Sequence, residues 1–161
     1  MSVDDIDYVV AVWREDGVWS AAPLPPHAAD SLDNLVHALR QLPGEGGVLG
    51  LVSLAEDITI VVRTQGHDVR VCMSDATAAE DFDLAAEIVD LVGGPLSDEV
   101  DEDEPAVAGD VTMLADLGLD AREFQMLCED DDLFPDDILS AVAGRLGFTG
   151  VFEQARDESG T

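Results

Sequence analysis

Runs of apolar residues along the first part of the chain predict five β-strands. Each run is rich in valine, isoleucine or leucine and is bounded by glycine, proline or acidic turn residues, as is typical of strands. The dipeptide Asp16-Gly17 is a common hairpin turn and connects the first two runs. The predicted strands are Asp5 to Trp13, Val18 to Leu24, Val48 to Leu54, Ile58 to Thr64 and Val69 to Met73.

Two stretches with helical spacing interrupt these strands. An apolar stripe over residues 32–39 predicts a first helix, with Asp30 or Ser31 as its N-cap. Thr77 and Glu80 have the spacing of a capping box, which predicts the start of a second helix. A Gly-Gly-Pro sequence follows that helix and is expected to end it.

The predicted elements follow one another in the order β-β-α-β-β-β-α. A five-stranded antiparallel sheet with helices packed on it satisfies this order simply, so the predicted fold class is α+β. Longin, roadblock and profilin-like folds share this order of elements, and they often serve as interaction scaffolds. The likeness concerns element order alone, and fold does not determine function.

A dense acidic run separates this region from the C-terminal part of the chain. Like charges at this density repel one another and extend the chain, so the run is typical of a linker. Beyond it, caps and short apolar stripes predict short helices. We therefore predict a sheet domain at residues 1–95, an acidic linker at 96–108 and a short helical segment at 109–161. That segment is small for an independent core, and we expect it to pack on the sheet, on a partner or on a second copy of the chain.

The strong excess of acidic residues is the most informative feature of the composition. The chain has 36 acidic residues, seven arginines and no lysine, for a net charge of −29. Such a surface repels phosphate backbones, which disfavours direct binding of nucleic acid and favours a basic protein partner. A GC-rich coding bias and selection for solubility would give the same composition, and that alternative stays open. The candidate interaction surface comprises the densest acidic positions, which are Asp98, Glu99, Asp101, Glu102, Asp103, Glu104, Glu129, Asp130, Asp131 and Asp132.

The sequence lacks the residue patterns of common catalytic and metal sites. Its three histidines and two cysteines do not have the spacing of a zinc motif, and it contains no nucleophile elbow or phosphate-binding loop. In an EF-hand loop counted from Asp130, the sixth residue is Pro135 and the twelfth is Ala141, where calcium binding requires glycine and glutamate. We therefore predict no catalytic residue, cofactor or metal ion, and we interpret the cysteines as small core residues.

Five stretches of the chain resemble one known family. They are Tyr8 to Gly17, Ala21 to Pro26, Leu39 to Gly47, Leu114 to Asp120 and Arg145 to Phe148. Together they resemble the actinobacterial family of tRNA adenosine deaminase-associated proteins, over nearly the whole chain. The family's name implies an association with the tRNA adenosine deaminase, the zinc enzyme that forms inosine at the wobble position. The chain lacks that enzyme's zinc-binding pattern, and no catalytic residues are assigned to the family, so none is carried over.

These observations predict a non-catalytic accessory protein that binds the tRNA adenosine deaminase, or another basic protein, through an acidic surface. The alternative is a self-associating scaffold, such as a homodimer, or an interaction module unrelated to tRNA modification. The apolar runs are too short to span a membrane, and the acidic beginning of the chain lacks the features of a secretory signal. We therefore expect a cytoplasmic protein without membrane attachment.

Overall fold

The computed structural model describes residues 6–29, 31–42, 47–54, 57–65, 68–75, 82–92, 107–130 and 132–159. Short 3-10 turns lie at Pro26–Ala29 and Ala115–Leu117. In chain order, the strands and α-helices are β1 (Ile6–Glu15), β2 (Val18–Leu24), α1 (Leu32–Arg40), β3 (Val48–Leu54), β4 (Ile58–Gln65), β5 (Asp68–Met73), α2 (Asp83–Val92), β6 (Ala108–Gly109), α3 (Ala121–Glu129), α4 (Pro135–Leu146) and α5 (Thr149–Ser159).

The strands form one antiparallel sheet in the order β2-β1-β3-β4-β5-β6. The hairpin turn between β1 and β2 forms at Asp16 and Gly17, as predicted. Their φ angles of 51° and 79° lie in the left-handed region that a tight two-residue hairpin turn requires. An α+β fold with an antiparallel sheet is therefore confirmed.

The prediction of five strands is wrong, because the sheet has six. Ala108 and Gly109 pair with Met73 and Cys72 at the outer edge of β5. This strand is only two residues long and contains a glycine, so it leaves no apolar run in the sequence. It lies where the predicted linker meets the helical segment. The rest of that linker, residues 96–106, and the predicted capping box at Thr77 and Glu80 lie outside the described residues.

Helices cover both faces of the sheet, which makes the sheet the middle layer of three. On one face, α1 and α2 pack against alternate strand residues such as Val9 and Ile60. Helix α1 buries the stripe that its spacing predicts, at Leu32, Leu35 and Leu39. This face contains the first of two hydrophobic cores.

The C-terminal helices form the second core on the opposite face. Strand residues such as Tyr8 and Val10 pack there against side chains of α3, α4 and α5. Phe124, Phe148 and Phe152 are among the largest fully buried side chains. Burial on both faces explains why β1, β3 and β4 are almost continuously apolar, because a strand with one solvated face would alternate.

Local signals determine where several helices begin and end. Ser31 caps α1 through its hydroxyl group. Asp120 caps α3 by accepting a hydrogen bond from the backbone N–H of Arg122 at 2.9 Å. Pro135 is the first residue of α4, and Gly147, with φ of 96°, ends it in the left-handed conformation. Among the residues described, no helix has both the length and the apolar character needed to span a bilayer.

Long-range contacts attach the C-terminal part to the sheet. Arg63 of β4 is buried, and its guanidinium donates to the carbonyl oxygen of Met113 at 2.7 Å and to both carboxylate oxygens of Asp116 at 2.6 and 3.0 Å. Cys72 of β5 and Cys128 of α3 meet in the second core. A hydrogen bond between the two thiols, together with burial, raises the pKa of Cys72.

Candidate protein-binding site

The acidic positions singled out by the sequence fall into two groups. Seven of them, Asp98, Glu99, Asp101, Glu102, Asp103, Glu104 and Asp131, lie outside the described residues. The other three lie at the junction of α3 and α4. Glu129 ends α3, and Asp130 and Asp132 follow it, all three exposed to solvent. The backbone N–H of Asp132 donates to Asp130 Oδ1 at 2.9 Å, which makes a local turn.

Two exposed apolar side chains accompany these carboxylates. Phe134 lies between the turn and α4, and 66% of its surface is accessible. Met126, on α3, is 65% accessible. An exposed aromatic side chain with carboxylates around it has the arrangement of an apolar centre and a polar rim that protein-binding surfaces commonly have. We use the name acidic loop for the exposed residues Glu129, Asp130, Asp132 and Phe134 at the junction of α3 and α4.

Phe134 also borders a cavity of about 440 Å³. This cavity lies between the N-terminus of α4 and the ends of β1 and β3 that meet there. We call it the acidic pocket, and its lining residues are Asp7, Tyr8, Ser53, Phe134, Pro135, Asp136 and Asp137.

Hydrogen bonds hold the carboxylate of Asp136 in place. Tyr8 donates its phenolic hydroxyl to Asp136 Oδ1 at 2.9 Å. Arg156 of α5 donates to both oxygens of the same carboxylate, at 3.1 and 3.2 Å, and its guanidinium lies 5.6 Å from the ring centre of Phe152. The Asp136 side chain is nevertheless 49% exposed, so it can still accept a donor from outside.

The other two carboxylates are fixed in the same manner. Ser53 donates its hydroxyl to Asp7 Oδ2 at 2.8 Å across the paired strands β1 and β3. The backbone N–H of Phe134 donates to Asp137 Oδ2 at 3.0 Å. Three ordered carboxylates therefore face a cavity with two aromatic walls, Phe134 and Tyr8. Such a site suits a guanidinium or ammonium group, which carboxylates bind by charge-assisted hydrogen bonds and aromatic rings bind through their faces.

Burial raises the pKa of Tyr8 well above its usual range, and the hydrogen bond to Asp136 raises it further. Only the neutral phenol can donate that bond, so ionisation would place a second negative charge beside Asp136. The stabilisation is fully present below the pKa of an unfolded tyrosine, about 10, and is lost as the pH rises beyond it.

We therefore expect Tyr8 to ionise together with unfolding in an alkaline titration. The chain contains one tyrosine, so phenolate absorbance reports on this residue alone. Circular dichroism recorded in parallel should change at the same pH. The variant Tyr8→Phe should remove the absorbance change and shift alkaline unfolding to higher pH. A phenolate signal near pH 10 from a chain that is still folded would contradict the expectation.

The sequence did not single out most residues of the acidic pocket. Tyr8 was placed in the first predicted strand and in a stretch that resembles the family, and Asp136 lies in the segment predicted to form short helices. One signal was available at Phe134, an aromatic residue in an acidic run directly before a helix-starting proline. Among the residues that the structure describes, no group of three or more histidine, cysteine, aspartate or glutamate side chains is arranged to hold a metal ion.

Comparison with known proteins relates the chain to one family. A sequence model of the family described as Rv3753c-like tRNA adenosine deaminase-associated protein matches residues 7–149. Protein Rv3753c of Mycobacterium tuberculosis (strain ATCC 25618 / H37Rv) is 35% identical over 152 residues, which cover 94% of this chain and 88% of the relative. No solved structure gives a significant match. The matched region includes the acidic pocket and most of both cores, and the chain therefore belongs to the family of Rv3753c-like tRNA adenosine deaminase-associated proteins.

Proposed function

We propose that this protein is a non-catalytic accessory protein that binds the tRNA adenosine deaminase through the acidic loop and the acidic pocket. The observation that carries the proposal is Phe134, an exposed aromatic side chain beside the ordered carboxylates of Asp7, Asp136 and Asp137. The family's name supplies the identity of the partner.

The chemistry of the site is complementary to a protein that binds RNA. A surface that holds the phosphates of tRNA is rich in arginine and lysine. The chain has a net charge of −29, so its acidic surface attracts such a partner and increases the rate of association. Phe134 and Met126 would then supply the apolar contacts at the centre, with the carboxylates around them.

Binding can be measured by calorimetry with the purified deaminase of the same organism. We expect a complex in the micromolar range or tighter at about 50 mM NaCl and a marked loss of affinity at about 500 mM, because salt screens charge attraction. Added tRNA should compete with the complex if both use the same basic surface. Absence of binding at low salt would overturn the proposal.

Matched variants separate the site from general charge. Phe134→Ala should weaken binding about tenfold or more, whereas Val18→Ala should not, since Val18 is 64% exposed but lies on β2. Asp132→Arg should weaken binding more than Asp33→Arg, which makes the same charge change at an exposed position of α1 on the opposite face of the sheet. Equal effects at Asp132 and Asp33 would show that net charge alone acts.

A self-associating scaffold is the second candidate function. In the described part of the sheet, β2 pairs on one side only, with β1, so its outer edge can accept a strand from a second copy. Pro23 interrupts that edge and disfavours this mode. Sedimentation distinguishes the candidates, because a scaffold would form a dimer without the deaminase.

A further inference from the structure

A second cavity lies on the same face of the sheet, at the other end of β1 and β3. Its volume is about 300 Å³, at the lower end of the range of small-molecule sites. We call it the arginine pocket. Its lining includes Arg14, Trp19, Leu49, Arg63, Asp116 and Leu117.

The charge of this pocket is opposite to that of the chain. Two of the seven arginines line it, and Asp116 is the one acidic residue among the lining residues that the structure describes. The hydrogen bonds from Arg63 lower the pKa of Asp116, so this carboxylate stays ionised and compensates the charge of Arg63. Among the described lining residues, the guanidinium of Arg14 is then the remaining net positive charge.

Arg14 differs from most of the other arginines in its surroundings. Arg63, Arg70, Arg145 and Arg156 each lie 2.6 to 3.8 Å from a carboxylate. Among the described residues, Arg14 has no carboxylate at ion-pair distance. In a chain with 36 acidic residues, a guanidinium that faces a cavity without such a partner indicates a place for an anion from outside.

The guanidinium of Arg14, an exposed residue, lies against one aromatic ring. It lies 5.8 Å from the ring centre of Trp19, and Trp19 packs in turn on the buried ring of Phe148 at 4.9 Å between centroids. Trp19 is therefore a positioning residue for Arg14. A positively charged group that is ordered before binding loses less entropy when it binds a ligand.

We propose that the arginine pocket binds a small organic anion, with its oxyanion group at the guanidinium of Arg14 and its apolar portion against Leu49 and Leu117. A carboxylate and a phosphate share the chemistry that a guanidinium recognises, and both are suitable head groups. The proposal rests on this geometry and is independent of any complex with the deaminase.

Two small anions, each with a short apolar chain, test the proposal. Butyrate carries a carboxylate, propyl phosphate carries a phosphate, and butyramide is the neutral control. Each is titrated into the full-length protein while the indole N–H signals of the two tryptophans are followed by NMR. We expect saturable shifts of the Trp19 signal by one or both anions at Kd values of about 1 mM, no shift by butyramide, and little change at Trp13. The anion that binds more tightly identifies the head group.

Substitutions of matched arginines complete the test. Arg14→Gln should weaken binding of the anion about tenfold or more, and Arg14→Lys should retain part of it. Arg122→Gln is the control, because Arg122 is exposed on α3 and lies outside the arginine pocket. Unchanged binding in Arg14→Gln, equal loss in Arg122→Gln, or no saturable shift with either anion would overturn the proposal.

Discussion

Replacement of Gly109 by alanine is expected to lower the free energy of unfolding by about 3 kcal/mol or more. A Cβ atom at this position would lie 2.0 Å from the carbonyl oxygen of Val71 and 2.9 Å from the Cα of Cys72. Both are backbone atoms of β5, so no side-chain rotation can relieve the overlap. The φ of Gly109 is +105°, which also strains any residue with a side chain.

Gly109, where the added Cβ would overlap with β5, directly precedes the part of the chain that enters the second core. Gly109 pairs with Cys72, and the next residue, Asp110, donates its N–H to the carbonyl oxygen of Val71 at 2.9 Å. Moving Gly109 away from β5 breaks this hydrogen bond and shifts Met113, which is fully buried a few residues later. The variant should therefore lose packing of the C-terminal part as well as the pairing of β6.

Two glycine variants serve as controls in urea denaturation. Gly147 has a φ of +96° with nothing within 4 Å of its added Cβ, so Gly147→Ala reports backbone strain alone, about 1 kcal/mol. Gly150 lies in α5 with open space around it, and Gly150→Ala should be neutral or stabilising by about 0.5–1 kcal/mol. If Gly109→Ala is no more destabilising than Gly147→Ala, β6 does not make the close contact with β5.

Much of the sheet could be predicted because its signals are local. The strands β2 and β3 have the bounds that the apolar runs predict, Val18–Leu24 and Val48–Leu54. The turn at Asp16 and Gly17 follows from the residue types that tolerate positive φ. The sixth strand carries no such signal. Two residues form it only because β5 presents an edge to them.

The three-layer arrangement is reflected in the sequence, but the spacing of apolar residues alone does not reveal it. The continuous apolar character of β1, β3 and β4 is typical of strands buried on both faces, and the C-terminal helices supply the second cover. The residues of that segment alone were consistent with packing on the sheet, on a partner or on a second copy. In the structure, the helices of this segment contact strands that are distant in the sequence, so the segment packs on the sheet of its own chain.

The candidate site was the least predictable feature, because its residues meet only in the folded chain. Tyr8 and Asp136 are 128 positions apart, and Asp7 and Ser53 are 46 apart. A search for dense acidic runs ranks residues by their sequence neighbours and therefore favours the positions around residues 98–104. The acidic pocket instead combines one carboxylate of β1 and two of α4 with aromatic residues that the charge count ignores.

Breaking the ion pair between Arg63 and Asp116 is expected to lower the free energy of unfolding by about 2–3 kcal/mol. Arg63 has a relative side-chain exposure of 4%, whereas that of Asp116 is 61%. The variant Asp116→Asn keeps the size of the side chain but leaves a buried guanidinium without its carboxylate. Solvent around Asp116 screens part of the interaction, so the expected value is below that of a fully buried pair.

The pH dependence of stability provides an independent measurement of the same pair. The hydrogen bonds from Arg63 lower the pKa of Asp116 in the folded chain. The stabilisation is therefore present above the pKa of an unfolded aspartate, about 3.9, and is lost as the pH falls through the folded value. Arg63→Met should remove most of this part of the acid dependence, because the carboxylate loses the guanidinium that donates hydrogen bonds to it.

A double-mutant cycle tests whether the two side chains act together. The combined variant Arg63→Met with Asp116→Asn should lose less stability than the sum of the single variants, with a coupling of about 2 kcal/mol. Arg145 and Glu123 are the matched control, because their charged atoms are 2.7 Å apart but their side chains are 55% and 38% exposed. Their coupling should be about 0.5 kcal/mol, as is typical of exposed pairs. Equal coupling in the two cycles would mean that the burial of Arg63 adds nothing to the strength of this ion pair.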